Sequence, residues 1–229
     1  AGEIATDSYV RLVFLSTGVP FVFWASGTAL VAASRSAPLG ETGTWTADLI
    51  DTVTAVRGID ANVNLNDEIL VSYLTSAVAT GRAKFVYCSD CTGPSSFQLM
   101  TPNAYLENAN IIANAMQTGA AWCNAGSDVY YPAISFPGAA ATRYGICRNA
   151  TLSACKDSAN WNFVNIVGTT SIASSLIIDP LTVGAVPVAA VRMATGVITY
   201  KMGATACTAA PIAFSAGTTL GTANTGNAW

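Results

Sequence analysis

No charge falls between Arg11 and Arg35, and the intervening 23 residues, Leu12 to Ser34, are rich in Val, Phe, Leu and Ala. What covers so apolar a stretch decides what the chain can become. Its length meets the roughly 20 residues that a membrane-spanning helix requires. Its composition argues the other way, because Gly18, Pro20 and Gly27 interrupt it and proline inside a helix costs about 3 kcal/mol. Val and Phe favour a pleated, packed surface. The stretch therefore reads as two strands, residues 9–15 and 21–24, joined by a turn or bulge at Gly18-Val19-Pro20. Both are apolar on both faces, which predicts burial from both sides. A membrane is a partner only if residues 12–33 are helical.

Charge is scarce throughout. Charged residues make up 10% of the 229-residue chain and hydrophobic residues 52%, where a soluble domain carries about 25% charged residues. The ten Lys and Arg are scattered and the net charge is -3, so the basic stripe that nucleic-acid binding needs is missing from the sequence. A surface built from Ala, Thr, Ser, Gly and Asn suits a protein whose neighbours cover it. Glycans or neutral hydroxyls are the other source of solubility for such a surface.

Histidine is absent. That removes the commonest general base, the usual metal ligand and every Ser-His or Cys-His pair. Cys88, Cys91, Cys123, Cys147, Cys155 and Cys207 form an even set, expected as three disulfides in an oxidising compartment, with fifteen connectivities open. The start Ala1-Gly2-Glu3 reads as a mature N-terminus, and Asn149-Ala150-Thr151 is a glycosylation sequon that fits an extracellular glycoprotein.

Along the chain, Leu49, Ile50, Val53 and Val56 recur at helical spacing and predict a helix over residues 46–57 that stops at Gly58. Asn66 reads as the cap of a second helix. Its stripe is Ile69, Leu70, Tyr73, Leu74, Ala77 and Val78, and Gly81 closes it. Thr101-Pro102 opens a third, running to Thr118. Short strands are expected at 84–88 and 97–100. Residues 120–160 lose periodicity and read as an irregular, disulfide-pinned region. Strands follow at 161–167, 175–178, 188–193 and 197–202, the last two a hairpin about Ala194-Thr195-Gly196. No internal repeat is evident. The expectation is one α+β domain over residues 1–229, with an assembly segment at about 1–24. It would hold N-terminal apolar strands, about three helices, then a mostly antiparallel β-sheet, stapled by disulfides.

Chemical motifs are few. Cys88-Ser-Asp-Cys91 follows a strand, but Thr92-Gly93-Pro94-Ser95 stands where a redox enzyme places a helix, and no second close cysteine pair completes a zinc ribbon. Asp48 and Asp51, and Asp67 and Glu68, sit where helix faces and caps place carboxylates. Trp24, Trp45, Trp122, Trp161 and Trp229 are scattered as core tryptophans are. The glycines form no phosphate cradle. The expectation is a protein with no enzymatic activity, no cofactor and no metal.

A charge-poor, Ala/Thr/Gly-rich, disulfide-bonded chain with an apolar N-terminal strand after a short extension resembles the subunits of prokaryotic extracellular filaments, the pili and threads built by donor-strand exchange. Type IV pilins are a poorer match, since Pro20 and the glycines break their continuous N-terminal helix. The resemblance implies a secreted, cell-surface homopolymer in which Tyr9, Val10, Leu12, Val13, Phe14 and Leu15 form the assembly strand and copies of the chain are its partners. The expected function is that of a self-assembling extracellular structural subunit of a pilus or filament, sheath or surface layer, with a viral capsid or coat protein and a secreted carbohydrate-binding or carbohydrate-active domain as the alternatives.

Overall fold

The computed structural model describes residues 9–52, 56–75, 82–99, 117–149, 151–210 and 212–222. They form sixteen strands in four sheets. The first sheet holds β1 (Val10–Phe14), β2 (Pro20–Ser26), β3 (Ala29–Arg35) and β4 (Trp45–Thr52). The second holds β5 (Val56–Val63), β6 (Ile69–Thr75), β7 (Arg82–Cys88) and β8 (Gln98–Leu99). The third holds β9 (Gly119–Gly126), β10 (Val129–Phe136), β11 (Thr142–Cys147) and β12 (Trp161–Val167), and the fourth β13 (Ser171–Ile177), β14 (Val188–Met193), β15 (Val197–Met202) and β16 (Thr218–Thr222). In every sheet the strands lie in sequence order and pair antiparallel.

The sheets are arranged radially. β1 packs on β5, β5 on β9, and β9 on β13, so the first strands gather about a common axis. Gln117, just before β9, makes single parallel bridges to Gly58 of β5 and Ala173 of β13. Four-stranded meanders placed face to face around a shared axis are the blades of a β-propeller. Among the described residues β13 does not pack on β1 as the other first strands pack on one another, so the four blades follow one another along an arc.

Each junction between blades has its own apolar core. Val13, Phe21, Phe23, Leu30 and Ala32 of the first blade meet Ile59, Ile69, Val71, Tyr73 and Val86 of the second. Leu70, Leu74, Phe85 and Tyr87 from the other side of the second blade meet Trp122, Ile134, Phe136 and Trp161 of the third. Tyr144, Ile146 and Ile166, on the third blade's far side, meet Leu176, Ala189 and Val191 of the fourth. The turns after the first strands tie neighbours together at one end. Ser16 donates to Asp67 through both its N–H (2.6 Å) and its hydroxyl (2.6 Å), Asn66 donates to the Asp128 carbonyl (2.8 Å), and Asn124 donates to the Pro180 carbonyl (2.9 Å).

The fold is thus nearly all β, which corrects the α+β expectation. Among the described residues the only helical pieces are the short 3-10 turns Pro94–Ser96, Leu152–Lys156 and Ser158–Asn160. The helix expected over 46–57 is β4 and the start of β5. Leu49 pairs with Val31, Ile50 is the extra residue where the register shifts, Val56 opens β5 and Val53 lies outside the described residues, so the apparent helical spacing joins two separate strands. The helix expected from Asn66 to Gly81 is β6 over Ile69–Thr75, whose seven residues are all buried, while Ala77, Val78 and Gly81 lie outside the described residues. A strand buried on both faces shows no alternation, and its apolar run mimics a helix stripe. Asn66 does not cap it. Instead the Asn64 side chain accepts the Asn66 and Glu68 N–H groups (both 3.0 Å) and Asp67 takes a positive φ of 61°, which makes a hairpin turn. The third expected helix lies outside the described residues except for its last two, and Gln117 there is bridged as strand. Of the region expected to be irregular, the part up to Cys147 is β9 to β11, folded back through Ser127 and Asp128 at φ 51° and 59°, while residues 151–160 hold two 3-10 turns pinned by Cys147–Cys155 as expected. Left-handed residues in a two-residue turn match strand twist, and Ser-Asp supplies them here without the usual glycine. Residues 12–33 span β1, β2 and β3, so they are no membrane helix. Among the described residues no helix is long and apolar enough to cross a membrane.

Candidate assembly surface

The expected assembly strand is the innermost strand of its own blade. β1 pairs antiparallel with β2, Val10 opposite Trp24 and Phe14 opposite Pro20, and its buried side packs on β5. Alternation then divides its residues. Val13 points into the first junction and is 8% exposed, with half-buried Tyr9 and Leu15 packed beside that core. Val10, Leu12 and Phe14 point away and are 42%, 52% and 42% exposed. β1 therefore already has its strand partner within the chain, and what it offers outward is a row of side chains.

Register extends that row across the whole blade. Val10 pairs with Trp24, Trp24 with Val31 and Val31 with Leu49, while Leu12 pairs with Val22 and Val22 with Ala33. Directly paired residues share a face, so the outer face of the first blade is apolar from the axis to its edge. The fourth blade exposes apolar residues toward one end of its outer face only, since Ala173 and Arg192 on the same face are 6% and 5% exposed. Ile177 pairs with Val188 and Val188 with Met202, and Ala190 pairs with Tyr200. Beside them, Gln117, Ala173, Ser175, Ala190 and Arg192 line a depression of about 200 Å³. The sequence reading missed Val22, Trp24, Val31 and Leu49, and all of the fourth-blade residues. Trp24 was legible through its alternation with Phe23, whereas Leu49 was hidden in an apparent helix stripe.

Charged clusters elsewhere join blades. Asp60 accepts from Arg11 of the first blade (3.2 Å) and from the Ala120 N–H of the third (2.9 Å), so one carboxylate ties three inner strands. Burial pushes the Asp60 carboxyl above its ordinary value, against the lowering pull of the Ala120 N–H and of Arg11. Burial likewise raises Glu68, which accepts from the Asn64 amide in its turn. Asp51 on β4 accepts from Lys84 Nζ and the Tyr73 hydroxyl, and the Tyr73 phenol is pushed well up, first by burial and then by Asp51. A second cavity of about 130 Å³ lies beside Tyr144, Arg148, Asn162, Phe163 and Ile212. Arg148 there is held by the Cys207 and Ala209 carbonyls. Among the described residues, no three His, Cys, Asp or Glu side chains gather as a metal site would need.

The six cysteines form three disulfides. Cys88–Cys91 closes the end of β7, Cys147–Cys155 staples β11 to the following 3-10 turn, and Cys123–Cys207 links the third blade to the fourth across 84 residues. Asn149 is half-buried just after β11, and its side chain accepts the Thr151 N–H (3.0 Å). No protein-family model matches the chain, and no curated protein is detectably similar to it in sequence.

Proposed function

We propose that the protein is an extracellular structural subunit that associates with copies of itself and has no catalytic role. The observation that carries this reading is the pair of apolar end faces on the first and fourth blades. Exposed apolar area of that extent marks an interaction surface or an aggregation hazard. Three disulfides support an oxidising setting, and the scarcity of charge suits a covered surface. The whole chain acts as one unit, and within the assembly segment at residues 1–24 the contribution comes from the outward side chains of β1 and β2. Association is by faces and not by donating β1 to a neighbour, because removing that strand would open the first core at Val13 and strip β2 of its partner.

Analytical ultracentrifugation across a hundredfold range of concentration tests the reading. Species larger than the monomer are expected, with their population rising with concentration. A single monomeric boundary at every concentration would refute it.

A further inference from the structure

We propose that the cavity beside Tyr144 and Arg148 binds a short-chain carboxylate, with its acid group on these two side chains and its carbon chain along the aliphatic walls. This site is separate from the apolar faces of the end blades and does not depend on self-association.

The register of the third blade builds the site. Alternation along β11 puts Tyr144 and Ile146 on one face, with Arg148 following just past the strand's end. On β12, Val164 pairs with Tyr144 and Asn162 with Ile146, and directly paired residues share a face. Phe163 and Ile212 complete the lining of a cavity of about 130 Å³. Asn162 is exposed, so the cavity has a wall open to solvent.

Two donors meet there. Tyr144 is fully buried, its ring set edge-on to Phe214 with centroids 5.5 Å apart, and its hydroxyl makes no hydrogen bond. Buried hydroxyls nearly always have a partner, so this one marks a place where an acceptor belongs. Burial pushes the Tyr144 phenol up, against the pull of Arg148, so at neutral pH the hydroxyl keeps its proton and can only gain by donating it. Arg148 is held in place by the Cys207 and Ala209 carbonyls, and the Cys123–Cys207 disulfide anchors that segment to the third blade. Both carbonyls are neutral. Among the described residues no carboxylate forms an ion pair with Arg148, and a guanidinium has five N–H groups, more than two carbonyls occupy.

The lining selects the ligand. A cation plus a phenol donor, with no acidic side chain among the walls, calls for an anionic acceptor. An inorganic anion such as phosphate would turn some of its oxygens onto Ile146, Phe163, Val164 and Ile212, where none could be hydrogen-bonded. A carboxylate divides as the cavity does, two oxygens at one end and hydrocarbon at the other. Size sets the length of that hydrocarbon. A cavity of about 150 Å³ takes a benzene ring, so this slightly smaller one accepts an acid of about three or four carbons.

The test is a butyrate titration of the full chain, followed by fluorine NMR with its eight tyrosines replaced by 3-fluorotyrosine. The resonance missing from Tyr144→Phe identifies Tyr144. At constant ionic strength, butyrate should move that resonance along a saturating curve, while butyramide and inorganic phosphate leave it in place. Arg148→Gln should weaken butyrate about tenfold or more, since a charge-assisted bond is lost. Thermal melting gives a second readout, because a ligand of the folded state raises the melting temperature. Tyr144→Phe keeps the ring and its contact with Phe214, and should reduce the rise produced by butyrate several-fold. A Tyr144 resonance that stays still or drifts without saturating would overturn the site, as would an equal response to butyramide or phosphate. An Arg148→Gln chain with a native circular dichroism spectrum and undiminished affinity would overturn it too. Should that variant fail to fold, Tyr144→Phe decides alone, and an undiminished rise in melting temperature would place butyrate elsewhere.

Discussion

The two inner blades and the two end blades are made of the same kind of residue but spend it differently. In the second blade β6 is buried at every position, Ile69 to Thr75, because a blade lies on each side. In the first blade β1 alternates, Val13 buried and Leu12 exposed, because only one side is covered. Nothing in the local composition of the strands separates these cases. Val-Arg-Leu-Val-Phe and Ile-Leu-Val-Ser-Tyr are both apolar strands, and their place both in the arc and within the blade decides which faces are wet, since β5 of the same inner blade is buried at only three of its eight positions. The proposed association would remove this contrast, by covering at the end of the arc a face as apolar as an inner blade's.

The strongest way to break the comparison is to empty an inner junction. Trp122 lies between the second and third blades, 1% exposed, and its indole donates to the Asn62 carbonyl (3.2 Å). Trp122→Ala should cost about 3–5 kcal/mol for the cavity and about 1 kcal/mol more for the orphaned carbonyl. Urea denaturation monitored by circular dichroism measures it, and a loss below about 1 kcal/mol would show that the junction is not packed as described.

Next in size is the link that holds the fourth blade to its one neighbour. Cys123–Cys207 closes 84 residues, and a loop of that length restricts the unfolded chain by about 4.5 kcal/mol. Cys88–Cys91 closes only three and should contribute about 2 kcal/mol or less by the same relation. Replacing each pair by serine and comparing midpoints of thermal unfolding ranks them. Equal effects would mean that loop entropy does not govern these bridges.

Some of this architecture was legible in the sequence. The strands at 161–167, 188–193 and 197–202 fall where alternation and the Gly196 turn place them, and the turn between β1 and β2 could be read from Gly18, which takes a φ of 81° just before Pro20 opens β2. The repeat was not legible. The second strands begin at Pro20, Ile69, Val129 and Val188, at uneven intervals and with no shared signature, since a blade needs only an apolar strand between two packed faces. The helices were misread for the same reason, because double burial at β6 erases the period of two on which the distinction rests. The outward apolar face could not be found from sequence, since whether a strand is covered once or twice is a property of the arc.

Asp60 offers a subtler perturbation, because it joins the first blade to the inner two. Its pKa is raised in the folded protein, chiefly by burial, so the folded state holds its proton more tightly than the unfolded chain does. Its contribution to stability is therefore fullest below the ordinary carboxylate pKa and falls as pH rises through the elevated one. Arg11 opposes that loss by favouring the charged form. Arg11→Ala should cost about 1–3 kcal/mol at neutral pH, by leaving a charged acceptor short of its donor, and much less at acid pH, where Asp60 is neutral. Unfolding free energies for both proteins across the acid range give the answer. A cost independent of pH would mean that the 3.2 Å contact contributes through packing alone.

The smallest expected effect is the most diagnostic for the end blades. Leu49 lies on β4 opposite Val31, 55% exposed on the outer face of the first blade, while Leu70 lies on β6, fully buried between two blades. The same truncation to alanine should cost about 2–5 kcal/mol at Leu70 and no more than about 0.5 kcal/mol at Leu49 in the isolated chain. Concentration then separates a wet surface from one that copies cover. If copies cover the outer face, association stabilises the folded state by mass action, and the unaltered chain should melt higher as concentration rises. Leu49→Ala should flatten that dependence while leaving the dilute limit in place. Thermal melts of both proteins over a hundredfold concentration range supply the comparison. Melting temperatures of the unaltered chain that do not move with concentration would leave the face of the first blade a surface exposed to water, and the resemblance between its composition and that of an inner blade would then have no structural consequence.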